Sequence, residues 1–268
     1  TVEYRDGAKL YIPVTNLGVL SRYAGGDPDA VSAHKLGTDR WSKAKQKAAE
    51  EIRDKAAELL DIYARRAAKQ GYAHQIDETQ YDRFADGFPF ELTPDQETSI
   101  DAVLADLKAP RPMDRLVCGD VGFGKTEVAM RAAFASVSSG KQVCVLVPTT
   151  LLAQQHFESF RDRFADWPVT VDVLSRFKSP KETKAIIERS NQGKVDILVG
   201  THKLLSSDLQ LPKLGLLIID EEHRFGVAQK ERLKKYRADV DVLTLTATPI
   251  PRTLNLSMAG IRDLSVIA

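Results

Sequence analysis

Cysteine is nearly absent. Cys118 and Cys144 are the only two among 268 residues, they form no C-x-x-C, and each sits inside an apolar run. A disulfide framework and a thiolate zinc site are thereby excluded, and both residues read as reduced core thiols of a cytoplasmic protein. No apolar run approaches the roughly 18 residues that a membrane span needs, and no basic-then-apolar leader opens the chain. A membrane role is not expected. Charge of one sign is lacking too: 38 Lys and Arg stand against 37 Asp and Glu. Net charge therefore neither announces a nucleic-acid binder nor excludes one whose positive potential is confined to one face. Repeats and low-complexity tracts are missing. The chain starts at Thr1 and stops at Ala268 inside an apolar run, the pattern expected of a piece excised from something longer.

What is present is 43% hydrophobic, enough over this length for one sizeable core, alone or with an appendage. Near the start, Asp6-Gly7 separates two alternating apolar runs within residues 2–14, a short-range hairpin signal. A two-stranded hairpin is marginal by itself, so it reads as the tail of a small β-domain. Residues 22–37, with Gly25-Gly26-Asp27-Pro28, read as linker. From Asp39 to Gln70 apolar residues recur every three or four positions, among them Trp41, Ala48, Ile52, Leu59 and Tyr63, and Gly71 follows as a stop. The spacing predicts one long amphipathic helix. Its other face mixes Lys43, Lys47, Glu50, Glu51, Arg53, Asp54, Arg65 and Arg66, the mixed-sign pattern of a solvated connector.

After Phe90 the pattern changes to apolar strands alternating with helical stretches, which predicts an α/β fold with a parallel sheet wrapped on both faces. Candidate strands are Leu116–Cys118, Val143–Val147, Thr170–Leu174, Asp196–Val199, Leu216–Asp220, Val242–Thr246 and Leu264–Ile267. Between the first of them and a helical stretch lies Gly119-Asp-Val-Gly-Phe-Gly-Lys-Thr126, a match to G-x-x-x-x-G-K-[ST] in the required strand-to-helix context. Gly119, Gly122 and Gly124 let the loop around Asp120, Val121 and Phe123 turn its N–H groups onto a phosphate. Lys125 neutralises β/γ-oxygens, and Thr126 offers a hydroxyl to Mg²⁺. Without an anion, a lysine at a helix N-terminus would oppose the helix dipole.

Four apolar residues, Leu216 to Ile219, deliver Asp220 to the carboxyl end of a strand, where doubly wound folds bind ligands. Asp220 is thus the candidate magnesium carboxylate, and Glu221 the group to orient or deprotonate an attacking water. Upstream, Thr93, Pro94 and Gln96 form a capping box that helix-start chemistry explains completely. A Gln amide also suits an adenine edge, and Phe90 could stack on the ring; residues alone leave the two readings level. His202 has no partner at metal-ligand spacing.

Together these segments resemble superfamily 2 helicases and translocases. Phe90 to Gln96 is similar to their adenine-sensing motif, Gly119 to Thr126 to motif I, Pro148-Thr-Thr-Leu-Leu152 to motif Ia, Gly200-Thr-His-Lys203 to motif Ib, Asp220 to His223 to motif II, and Thr246-Ala-Thr248 to motif III. Asp220-Glu-Glu-His-Arg-Phe-Gly226 and Thr246-Ala-Thr-Pro-Ile-Pro-Arg-Thr253 resemble the branch of transcription-repair coupling factors and fork-reversing helicases, and the stretches 116–130 and 10–26 are similar to the coupling factors.

That resemblance implies three segments: residues 1–26 as the last strands of an RNA-polymerase-interacting domain, 27–89 as linker and long relay helix, and 90–268 as the first RecA-like ATP-binding lobe. It implies ATP and Mg²⁺ as cofactors. It also implies movement along double-stranded DNA that displaces a stalled RNA polymerase and recruits nucleotide excision repair proteins. Thr149, Thr201 and Lys203 become candidate DNA contacts, with Arg176 after another strand end. His223, Thr246 and Thr248 become the link between metal site and DNA side. Motifs IV to VI and an arginine finger belong to a second lobe, so the chain alone is expected to hydrolyse ATP poorly. A fork-reversing helicase, a non-catalytic interaction module built on the hairpin and long helix, and a P-loop kinase are the competing readings. The helicase order of the motifs speaks against the kinase.

Overall fold

A computed structural model of the chain describes residues 68–247 and 262–268 throughout, together with 2–3, 9–11, 13, 46–47, 50, 53, 57, 61 and 64–66. The chain divides into the units Thr1–Glu58 and Leu59–Ala268. In the first, Val2–Glu3 (β1) pairs antiparallel with Lys9–Leu10 (β2), Val2 opposite Leu10. The expected hairpin is present; its Asp6-Gly7 turn and the linker 22–37 lie outside the described residues.

Residues 46, 47, 50, 53, 57, 61 and 64–66, all within the expected long helix, are helical. The helix does not reach Gln70, since 68–70 are turn, bend and irregular chain. Gly71 serves a purpose other than stopping it. A Cβ there would lie 2.5 Å from the Arg111 carbonyl carbon, and the Gly71 N–H donates to Pro110 O at 3.1 Å. Arg66 also departs from expectation: assigned to the solvated face, it is buried, with its Nη1 3.0 Å from Asp114 Oδ2. A guanidinium taken out of water is kept only where a carboxylate receives it. Arg65, by contrast, is exposed and paired with Asp61 one helical turn back.

The second unit runs Glu78–Asp86 (α1), Pro94–Lys108 (α2), Asp114–Gly119 (β3), Lys125–Ser138 (α3), Gln142–Leu146 (β4), Thr150–Arg163 (α4), Val171–Leu174 (β5), Pro180–Asn191 (α5), Ile197–Gly200 (β6), Leu214–Asp220 (β7), Val227–Asp239 (α6), Asp241–Thr246 (β8) and Asp263–Ile267 (β9). All seven expected strands are present, each within two residues of its expected ends. Local chemistry sets several helix starts. Thr93 with Gln96 and Ser179 with Glu182 close reciprocal capping boxes, each followed by proline at the first helical position.

The strands form one parallel sheet in the order β5-β6-β4-β7-β8-β3-β9. Alternation along them feeds two cores. Val143 and Val145 of β4, with Leu216 and Ile218 of β7, face α1 to α4, where Phe84, Phe134 and Phe160 are buried. Cys144 and Leu146, with Leu217 and Ile219, face Ile186 of α5 and Leu233 of α6. This is the RecA-like α/β architecture, its central strands apolar on both faces. The core reaches back to α1, whose Phe84 stacks on Phe134 at 4.3 Å between ring centroids. Both cysteines are buried and unbridged, and burial pushes the Cys144 thiol up to about 12. Among the described residues no helix is long and apolar enough to cross a membrane.

Topology places the motifs. The late strands β7 and β8 come between β4 and β3, so the carboxyl ends of β3, β8 and β7 lie side by side, about 4.8 Å apart in sequence of strands. At the opposite end, Asp241 opens β8 under full burial: Oδ1 accepts the Met113 N–H at 2.6 Å and Oδ2 lies 3.0 Å from Nε2 of buried His74. Replacing Asp241 with Leu strands both groups, and the expected loss of unfolding free energy in urea denaturation is about 2–4 kcal/mol. Removing Glu78 from its exposed pair with Lys108 is expected to change it by less than about 0.5 kcal/mol.

Candidate nucleoside triphosphate site

The loop between β3 and α3 is shaped by two glycines in the left-handed region, Gly122 at φ 89° and Gly124 at φ 75°. Gly124 caps α3 with no side-chain hydrogen bond, so the first-turn amides and the positive end of the helix dipole face the loop. A Cβ at Gly124 would also lie 2.4 Å from Gln96 Nε2, so the Gln96 amide would have to move. Lys125 folds its ammonium onto the loop, Nζ donating to Gly119 O and, at 2.7 Å, to Asp120 O. Val121 and Phe123 are exposed, and Val121 lines the cavity at this loop.

Asp220 ends β7, its Oδ2 2.8 Å from Nε2 of His156 on α4. Glu221 follows in the left-handed region, φ 52° and ψ 48°, a conformation costing about 1–2 kcal/mol for a residue with a Cβ. Three contacts hold it there. Its N–H donates to Leu245 O at 3.0 Å, Oε1 accepts the Ala247 N–H at 2.9 Å, and Oε2 lies 3.2 Å from His223 Nδ1. His223 thus meets the acidic pair, and one link from that pair to the Thr246-Ala-Thr248 segment runs through the main chain of Ala247. Thr246 is buried at the end of β8, while Thr248 lies outside the described residues.

Two cavities meet at the loop. One of about 560 Å³ is lined by Lys125, Thr126, His156, Asp220 and Glu221, and one of about 810 Å³ by Phe88, Phe90, Thr93, Gln96, Met130 and Arg163. Gly122, Gly124 and Thr126 line both. Phe90 is 73% exposed and meets Phe88 in a T-shaped pair at 5.5 Å between ring centroids. Gln96 closes the capping box with Thr93 and donates Nε2–H to Phe123 O at 3.0 Å. Its helix-start role is therefore observed, and the same amide ties α2 to the phosphate loop. One N–H of the amide is left for another acceptor.

The donor set fits a magnesium nucleotide. Among the described residues no three His, Cys, Asp or Glu side chains converge as a metal cage; the cavity is lined by the carboxylates of Asp220 and Glu221, the hydroxyls of Thr126 and Ser159 and the ammonium of Lys125. Such sparse protein donors suit Mg²⁺, which is usually held by one or two carboxylates together with substrate phosphates.

The candidate DNA contacts follow the carboxyl ends of β4, β5 and β6. Thr149 caps α4 after β4, accepting the Leu152 N–H at 3.2 Å. Arg176 is exposed after β5, its guanidinium 5.6 Å from the Phe177 ring centre. Lys203 is exposed after β6, whereas Thr201 is 6% exposed. The rim of the sheet is thus divided, with β3, β8 and β7 at the phosphate loop and β4, β6 and β5 beneath these four residues. Sequence reasoning missed His156 and Arg163. The only signal for His156 is its position seven residues after Thr149, two helical turns along α4; Arg163, whose Nη2 donates to Phe84 O at 2.6 Å, carried none.

Residues 93–256 match the family DEAD/DEAH box helicase. The transcription-repair-coupling factor of Escherichia coli (strain K12) is 65% identical over 265 residues, 99% of this chain and 23% of that protein. That of Myxococcus xanthus is 56% identical over 267 residues, 100% of this chain and 22% of that protein. A solved structure, RecG bound to three-way DNA junction, superposes with a TM-score of 0.69 at 33% identity, covering 79% of this chain and 29% of that one. The chain spans about a quarter of the length of these relatives.

The geometry at Gly124 yields a double-mutant test. Gly124→Ala is expected to destabilise the chain through both backbone strain and collision with Gln96. In the Gln96→Ala background the same substitution should retain only the strain, about 1–2 kcal/mol. Strict additivity in urea denaturation would mean that the Gln96 contact does not constrain the loop.

Proposed function

The chain belongs to the DEAD/DEAH box helicase family, and from that membership we propose that it is the ATP-binding lobe of an ATP-dependent translocase on double-stranded DNA, one that displaces stalled RNA polymerase and couples transcription to nucleotide excision repair. The observation that carries the reading is the meeting of Lys125, Thr126, Asp220 and Glu221 around one cavity at the carboxyl ends of β3 and β7. Similarity to transcription-repair-coupling factors along the whole chain supports the specific partners.

In this reading Lys125 exchanges its loop carbonyls for the β- and γ-phosphate oxygens, which the first-turn amides of α3 also contact. Thr126 and Asp220 hold Mg²⁺, which when bound offsets phosphate charge. Glu221, fixed by Ala247 and His223, orients the attacking water and takes its proton. Phe90 and Gln96 receive the adenine. Thr149, Arg176, Thr201 and Lys203 hold the DNA backbone, a sequence-independent contact that weakens with salt. Thr246 and Thr248 relay between the two rims. Residues 1–26 contribute to RNA polymerase binding, 27–89 include the connector, and 90–268 carry the nucleotide site of a lobe whose packed core also takes in α1. The arginine that stabilises transition-state charge belongs to a second lobe, so this chain alone binds ATP weakly and turns it over hardly at all.

The test is nucleotide binding with and without Mg²⁺, followed by competition with duplex DNA at two salt concentrations. Lys125→Met is expected to weaken ATP binding by at least about tenfold, the scale of one charge-assisted hydrogen bond. In the full-length protein the same substitution should abolish nucleotide-driven movement and leave polymerase binding measurable. Robust DNA-stimulated turnover by the 268-residue chain would contradict the division of labour between lobes.

A further inference from the structure

We infer that His156 is a positioning residue for Asp220, holding one carboxylate oxygen so that the other is presented to the cation. The inference rests on the magnesium nucleotide reading above and adds a residue that none of the helicase-like motifs in this sequence contains. His156 Nε2 lies 2.8 Å from Asp220 Oδ2, and the two side chains are 10% and 14% exposed. A carboxylate oxygen only accepts, so Nε2 is the donor. Among the described residues Oδ1 of Asp220 makes no hydrogen bond, and Asp220 lines the cavity shared with Lys125 and Thr126.

The far side of the ring shows that Asp220 is its one polar anchor. Nδ1 is buried and meets no hydrogen-bond partner among the described residues. The ring is 6.4 Å from the buried Phe160 ring, which in turn stacks on Phe164 at an interplanar angle of 2°. A wholly apolar side chain would satisfy that packing without burying an unpartnered nitrogen, which carries a desolvation cost. What it would not supply is the bond to Oδ2. Asp220 is the last residue of its strand and is followed by a residue in the left-handed region. Hydrogen bonds to a ligating carboxylate set its orientation, and losing such a partner characteristically costs 10–100-fold in metal affinity.

The experiment measures ADP binding to the 268-residue chain by calorimetry, in Mg²⁺ and in EDTA, for wild type, His156→Ala, His156→Gln and His156→Asn, with thermal unfolding recorded for each. His156→Ala is expected to bind ADP in EDTA within about twofold of wild type and to lose about tenfold of the affinity that Mg²⁺ adds. The Gln amide nitrogen reaches the place of Nε2, so His156→Gln recovers most of that gain; the shorter Asn does not. If His156→Ala fails to fold, the Gln and Asn variants decide between the same outcomes. An undiminished Mg²⁺ gain in His156→Ala, an equal loss with and without Mg²⁺, or no difference between Gln and Asn overturns the proposal. Absence of any Mg²⁺ gain in wild type overturns the nucleotide reading itself, and that failure is visible without a variant.

Discussion

Everything in the second unit depends on how an ammonium and a carboxylate from distant parts of the chain are held at one end of a parallel sheet. Lys125 begins the helix after β3 and Asp220 ends β7, with β8 between them. In open water the two charges would each stay hydrated and pair only weakly. Here the ammonium is received by Gly119 O and Asp120 O and the carboxylate by His156. Each charge is satisfied separately, and the space between them stays available for a ligand carrying both negative oxygens and a cation.

The same economy of buried charge recurs away from the cavity. Asp114 receives Arg66 from the end of the long helix and Arg262 from the approach to β9. Arg262 extends toward Glu222, next to the acidic pair, at 3.6 Å. Glu127, one turn into α3, takes Arg131 and Arg163. None of these pairs is a strong source of stability in itself, because desolvation offsets much of the attraction. Their effect is on position: all but the Glu127–Arg131 pair, which lies within α3, join elements far apart in sequence, and losing one partner leaves the other buried without compensation.

Strands and helix starts were legible because their causes are local. The alternation of Val143, Cys144, Val145 and Leu146 encodes two apolar faces, and Thr93-Pro94 with Gln96 encodes a cap wherever the helix packs. Strand order was not legible. Nothing in residues 214–246 says that β7 and β8 insert between β4 and β3, yet that insertion brings Asp220 to the phosphate loop. Arg66 looked like its neighbour Arg65 because charge patterning carries no information about a carboxylate 48 positions later. The strained backbone of Glu221 and the Gln96 bond to Phe123 O escaped for the same reason: a glutamate in the left-handed region has no sequence signature, and a capping glutamine does not reveal a third partner.

The central claim is that Lys125, Thr126 and Asp220 form a single receptor for a triphosphate and its cation. The most direct measurement is a crystal structure of this chain grown with a non-hydrolysable ATP analogue and Mg²⁺. The account predicts the β-phosphate against the first-turn amides of α3, Lys125 Nζ withdrawn from Gly119 O onto phosphate oxygen, and the cation between Thr126 Oγ1 and Asp220. A nucleotide bound elsewhere, with Lys125 still on its loop carbonyls, would contradict it.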